Sequence, residues 1–154
     1  NKVFEELGLN INFIQDNQSF SAQKGTLRGL HFQLNPKAQT KLIRCTKGKI
    51  LDVAVDIRKG SPTYKKWVSV ELTEENKKQL LIPKGFAHGY SVLSETAEVF
   101  YKCDEFYNTE CEGGIIYNDA TLNINWQIPA DKAIISEKDK YHPGLNNCIN
   151  NFSF

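Results

Sequence analysis

A mainly β fold is predicted for this chain, a sandwich or small barrel of short strands. Three observations predict it. Residues 50–57 alternate strictly, with Leu51, Val53, Val55 and Ile57 on one face and Ile50, Asp52, Ala54 and Asp56 on the other, the period of a half-buried strand. About nine such short segments follow one another at close spacing. No long helical pattern alternates with them, as a parallel βαβ sheet would require.

The elements follow in order. Residues 1–8 read as the end of a helix closed by the C-cap glycine Gly8. Strand candidates are residues 11–15, 26–33, 41–46, 50–57, 67–72, 79–82, 89–93, 98–102 and 114–117. The breakers between them are turn chemistry: Lys47-Gly48, Lys59-Gly60-Ser61-Pro62, Pro83-Lys84-Gly85 and Asn118-Asp119. Residues 73–76 suit a short helical turn. Periodicity alone reads the Asp52 and Asp56 face as solvated, and the alternative is the lining of a cavity. The polar tail, residues 141–154, is expected to be partly mobile or to dock on a neighbour.

Composition narrows the function. The 154 residues are expected to form one domain, 1–154, with a proper core. With 19 basic and 18 acidic residues the net charge is +1, which gives no general attraction to nucleic acid or to a membrane surface. No apolar run approaches the roughly 18 residues of a membrane span. No secretory leader is read at the start. Cys45, Cys103, Cys111 and Cys148 have neither redox nor zinc-finger spacing, and Cys45 and Cys103 fall inside strands as ordinary buried thiols. The expected compartment is the reducing cytoplasm. Methionine is absent.

The chemistry is concentrated in two segments, residues 25–33 and 82–90, which hold His31 and His88, two of only three histidines. Histidine is the side chain whose ordinary pKa puts its proton in play near neutral pH. No His-x-His pair or following glutamate marks a metal site, so no metal is expected. No nucleophile elbow and no phosphate loop is present. Acid–base chemistry remains. A histidine base held by a carboxylate, a tyrosine returning the proton from the opposite wall and a cation beside the reacting oxygen would suffice. Tyr101, Lys41 and Arg28 can fill the last two roles, although each is commonly a core-edge aromatic or a surface charge.

Six segments in order carry a resemblance. They are residues 14–17 (Ile-Gln-Asp-Asn), 27–33 (Leu-Arg-Gly-Leu-His-Phe-Gln), 38–45 (Ala-Gln-Thr-Lys-Leu-Ile-Arg-Cys), 52–63 (beginning Asp-Val-Ala-Val-Asp), 75–89 (ending Gly-Phe-Ala-His-Gly) and Tyr101-Lys102. Weaker matches follow at residues 117–119, 124–126 and 135–139. Together they resemble the dTDP-4-dehydrorhamnose 3,5-epimerases. The resemblance implies a cupin-type double-stranded β-helix jelly roll with short peripheral helices. It implies a homodimer without metal or organic cofactor, acting on dTDP-4-keto-6-deoxy-D-glucose. By position, His31 resembles the family's general base and Asp139 its orienting carboxylate. Lys41 resembles the enolate stabiliser and Tyr101 the acid on the other face. His88 matches a substrate contact, and Arg28 and Lys138 match polar and phosphate contacts. Gln15 and Asn17 match the nucleotide-binding stretch, Tyr107 the aromatic stacked on thymine, and Glu112 a nearby binding carboxylate. The family's upstream Asp-x-Arg-Gly-x-Phe-x-Glu segment has no counterpart here, so the parent chain is expected to extend before Asn1. The alternatives are an epimerase or ketoisomerase of another dTDP-deoxysugar, or a non-catalytic sugar-nucleotide-binding jelly roll.

Overall fold

A computed structural model describes residues 2–154. The elements are α1 (Lys2–Glu6), β1 (Gln15–Ser21), β2 (Thr26–Gln33), β3 (Lys41–Lys47), β4 (Lys49–Asp56), β5 (Trp67–Thr73), β6 (Gln79–Ile82), β7 (Phe86–Val92), β8 (Ala97–Cys103), β9 (Glu112–Gly114), β10 (Ile134–Ile135) and α2 (Glu137–Lys140). Two sheets face each other. One runs β1-β8-β3-β6; the other runs β10-β2-β7-β4-β5, with β9 also paired to β2. All pairings are antiparallel except β10 with β2. The architecture is the jelly roll that the strand spacing and the resemblance imply, with the helices peripheral.

Strand alternation divides the core into two layers. Between the sheets, Ile43, Cys45, Ile50, Ala54, Tyr90, Val92 and Val99 pack together. On the outer face of the larger sheet, Leu51, Val53, Val55 and Ile57 pack with Leu27, Leu30 and Phe32 beneath Ile115, Leu122, Trp126, Leu145 and Phe152. The segment after β9 is therefore a lid on that sheet. Trp126 Nε1 donates to the Tyr117 carbonyl, and Ser91 Oγ donates to the Trp126 carbonyl.

Several sequence expectations change. The solvated reading of the Asp52 and Asp56 face is wrong, because both residues are fully buried. Alternation gave the two faces correctly, but the lid covers one and the opposite sheet covers the other. The first strand starts at Gln15, where the 11–15 segment ends, because its inward residues Gln15, Asn17 and Ser19 are polar and break the apolar alternation. The strand placed at 114–117 lies earlier, as β9; beyond it Ile115 still exchanges hydrogen bonds with the Leu30 backbone. The tail docks on its own body, with Leu145 and Phe152 buried and Phe152 edge-to-face against Phe32. Residues 74–76 form a turn in which Thr73 Oγ1 accepts from the Glu75 and Asn76 amides. The N-terminal helix ends as expected, with Gly8 at φ 75°. All four cysteines are free, and Cys45 and Cys103 are buried. Among the described residues no helix is long and apolar enough to cross a membrane.

Asp56 anchors the turn after β4. It accepts from Arg58 Nε and Nη2 at 2.9 and 2.7 Å, Ser61 Oγ at 2.6 Å and Thr63 Oγ1 at 2.7 Å. Burial alone would raise its pKa, but these hydrogen bonds outweigh burial and hold the carboxyl well below the usual range. A depressed folded-state pKa means that the contribution is complete above the ordinary carboxylate value near 4 and is lost as pH falls below it. Asp56→Asn should cost about 2 kcal/mol at neutral pH, because the buried site loses its charge-assisted hydrogen bonds and the half-buried Arg58 loses its partner. Urea denaturation of the two proteins measures this, and the difference should shrink on acidification below about pH 4.

Candidate active site

The polar inward positions converge on one side of the sandwich. Period two would set Arg28 and His31 on opposite faces of β2. A register shift against β7 lies between them. It switches the strand's faces, so Leu27 and Leu30 both join the outer core while Arg28 and His31 both line the inner wall. Glycine is needed at the shift. Gly29 sits at φ 113°, and a Cβ there would come within 2.7 Å of the His88 carbonyl. Beyond the shift His31 pairs directly with His88, and the two imidazoles enter from adjacent strands.

Two adjoining cavities, of about 350 and 220 Å³, share His31, Lys41 and Tyr101 as lining. Lys41 opens β3, and Tyr101 stands on the neighbouring β8, both on the inward face. The larger cavity adds Gln15, Asn17, Tyr107 and Glu112; the smaller adds Arg28, His88 and Tyr90. Lys138 lines neither and reaches the site through Glu112, with Nζ 2.5 Å from Oε1. The structure thus gathers every residue singled out from the sequence, with Asp139 behind His31 and Lys138 at the rim.

Asp139 arrives by a strap. In β10, Ile134 and Ile135 run parallel to Thr26 and Leu27 of β2. Ser136 then caps α2, its Oγ accepting from the Asp139 amide. This sets the Asp139 carboxylate beside β2, where Oδ2 accepts from the Gly29 amide at 3.2 Å and Oδ1 lies 2.6 Å from His31 Nε2. Burial pushes the Asp139 pKa up, but the His31 hydrogen bond and charge and the Gly29 amide more than offset it, so the carboxyl is net lowered and ionised. In its neutral form, His31 donates from Nε2 to this carboxylate, which leaves Nδ1 as the proton acceptor.

The opposite groups differ in kind. Burial pushes the Tyr101 hydroxyl up to about 12, so it keeps its proton throughout the neutral range. Burial also lowers the pKa of Lys41, against the opposing charges of Cys103, Asp52 and Glu112. A developing oxyanion near this ammonium would offset that desolvation. At the outer end, Tyr107 donates to Glu112 at 2.9 Å, and its amide donates to Gln15 Oε1 at 2.9 Å. Burial raises the Glu112 pKa, and the bonds from Lys138 and Tyr107 outweigh it, so the carboxylate stays charged.

Three residues escaped the sequence reading. Asp52 lies under His88, with Oδ1 2.5 Å from Nε2, and its place on the inward face of residues 50–57 was the available signal. Gln33 pins the loop that carries Tyr107. Its Nε2 donates to the Lys37 carbonyl, and its Oε1 accepts from the Asn108 amide. His142, the third histidine, lies three residues after Asp139, with Nε2 3.5 Å from Oδ1. Burial lowers its pKa, and the neighbouring His31 charge lowers it further.

Residues 1–147 match the family model described as dTDP-4-dehydrorhamnose 3,5-epimerase. The chain belongs to the dTDP-4-dehydrorhamnose 3,5-epimerase family. Among curated members, the dTDP-4-dehydrorhamnose 3,5-epimerase of Shigella flexneri is 55% identical over 139 residues, which are 90% of this chain and 75% of that protein. Among solved structures, the epimerase of Elizabethkingia anophelis NUHP1 is 52% identical with a TM-score of 0.91, over 95% of this chain and 80% of that one. The dTDP-6-deoxy-D-glucose-3,5-epimerase of Legionella pneumophila, solved with dTDP-4-keto-L-rhamnose, is 48% identical with a TM-score of 0.89, over 95% of this chain and 77% of that one. These epimerases share the two-sheet architecture on which the cavity described above is built.

Proposed function

We propose that this chain epimerises dTDP-4-keto-6-deoxy-D-glucose at C3 and C5, giving dTDP-4-keto-L-rhamnose. The observation that carries the reading is the His31–Asp139 pair facing the same cavity as Lys41 and Tyr101. Both carbons lie next to the C4 ketone, so removal of either hydrogen gives an enolate. His31 Nδ1 takes the proton while Asp139 fixes the ring through Nε2. Lys41 stabilises the negative charge that develops on the C4 oxygen, and Tyr101 delivers a proton to the opposite face. Arg28 and His88 contact the sugar in the smaller cavity. Gln15, Asn17, Tyr107, Glu112 and Lys138 hold the nucleotide end, with the exposed Tyr107 ring available to stack on thymine.

The same reading makes the chain one jelly-roll domain, residues 1–154, that works in the cytoplasm as a homodimer. The outer face of the smaller sheet supports the dimer. There Phe4, Phe13, Leu42 and Phe100 line a hollow together with Arg44, Gln79 and Lys102, and Phe20 is exposed on the adjoining edge strand β1. Light scattering after gel filtration tests it, with a mass of two chains expected and a monomer at micromolar concentration contradicting it.

Tyr101→Phe separates the two proton transfers. Removing one hydroxyl leaves the base in place, so loss of substrate hydrogen to D2O should persist while net epimerisation falls about 10²-fold. Isotope exchange and product formation, followed in one NMR time course, give both rates. Equal turnover by variant and parent would remove Tyr101 from the mechanism.

A further inference from the structure

We propose that His31, Asp139 and His142 form a binding site for a divalent transition ion, Zn2+ foremost, and that the bound ion blocks proton transfer. The three residues each offer one donor atom, and these atoms lie within 4.8 Å of one another. Two imidazole nitrogens and a carboxylate oxygen are the donor set that zinc takes when one position is left for water or substrate.

The third ligand is built in. His142 Nε2 is buried and has no hydrogen-bond partner among the described residues. Its side chain is 13% exposed. The ring lies flat against β9, where a Cβ at Gly114 would overlap it, so only glycine there admits the imidazole at this place. The His31 and His142 rings meet edge-on at 5.5 Å, and their Nε2 atoms lie 2.6 and 3.5 Å from Asp139 Oδ1. The Gly29 amide holds the other carboxylate oxygen, the outer-shell support that ligating carboxylates commonly have. The His31 side chain is 32% exposed and borders the larger cavity, which leaves room for a fourth ligand. Tetrahedral ligands at about 2.0–2.1 Å stand about 3.3 Å apart, so the His31–Asp139 pair has to open by a fraction of an ångström and the two imidazoles have to draw together from within 4.8 Å.

Proton accounting explains the block. In the metal-free pair, the neutral form of His31, the form that can act as a base, carries its proton on Nε2 and accepts at Nδ1. An ion on Nε2 displaces that proton, which moves to the Nδ1 lone pair with no net gain or loss. Nδ1–H cannot accept a proton from carbon. The inhibition rests on the base role given to His31 above; the binding does not.

The chain's three histidines allow a direct test. Protein with 15N-labelled histidine, freed of metal with EDTA, is titrated with ZnCl2. One equivalent should shift the His31 and His142 imidazole signals and leave His88 in place. No shift at about 100 µM Zn2+, or a shift that spares His142, overturns the site. In parallel, ZnCl2 should inhibit the parent, and His142→Ala, with each protein scaled to its own metal-free turnover, should need at least about tenfold more zinc for half-inhibition. Equal sensitivity of the two proteins overturns the proposal. Should His142→Ala fail to fold, the titration of the parent decides alone. Zinc shifts at these two histidines in a protein without epimerase activity would uphold the site and defeat only the functional reading.

Discussion

Replacing His31 with alanine is expected to abolish exchange of hydrogen at both C3 and C5, with turnover falling about 10³-fold or more. A single imidazole serves both carbons in this account, so neither position should retain partial exchange. The fold should tolerate the change. His31 is one-third exposed at the cavity wall, and its neighbours Leu30 and Phe32 carry the packing of β2. Asp139 would keep its Gly29 amide and its helix cap. Circular dichroism and thermal melting distinguish loss of the base from loss of the protein. Exchange surviving at one carbon would show a second base, and His88, backed by Asp52, would be the first to examine.

Lys41→Met is expected to lower turnover by about 10²–10³-fold, the usual consequence of losing one preorganised group facing a developing oxyanion. Its distinguishing mark is thermodynamic. Burial disfavours the Lys41 charge. Methionine of similar length removes that charge from the desolvated wall, so the melting temperature should stay level or rise. A binding-only role would instead raise KM and leave kcat unchanged. Activity lost together with stability would mean that Lys41 holds the sandwich together and contributes no charge to the reaction.

How far the sequence could be read depended on what each strand faces. Residues 50–57 gave their strand and both faces at once, since strict alternation survives wherever either face is buried. Period could not tell that Asp52 and Asp56 lie indoors, because a carboxylate looks the same whether it faces water or a histidine. β1 was misplaced for the same reason in reverse. Its inward side chains line a cavity, so the pattern that marks a strand was spent on polar lining. The register shift between Arg28 and His31 has no periodic signal, although Gly29 between them marks where a backbone can depart from it. His31, Lys41 and Tyr101 were plausible chemistry from residue type, and the resemblance supplied their roles. Asp139 stood beyond local reasoning, because 108 residues separate it from His31 and only the parallel strap of β10 and α2 joins them. His142 lay in plain view one turn after Asp139, but nothing in that tail announced that it would turn back beneath Gly114.

The most direct measurement is proton NMR of dTDP-4-keto-6-deoxy-D-glucose in D2O with this protein and EDTA. Deuterium should enter at both C3 and C5, and signals of dTDP-4-keto-L-rhamnose should grow in. Deuterium at one carbon alone would contradict the double epimerisation, and no exchange by folded protein would contradict catalysis altogether.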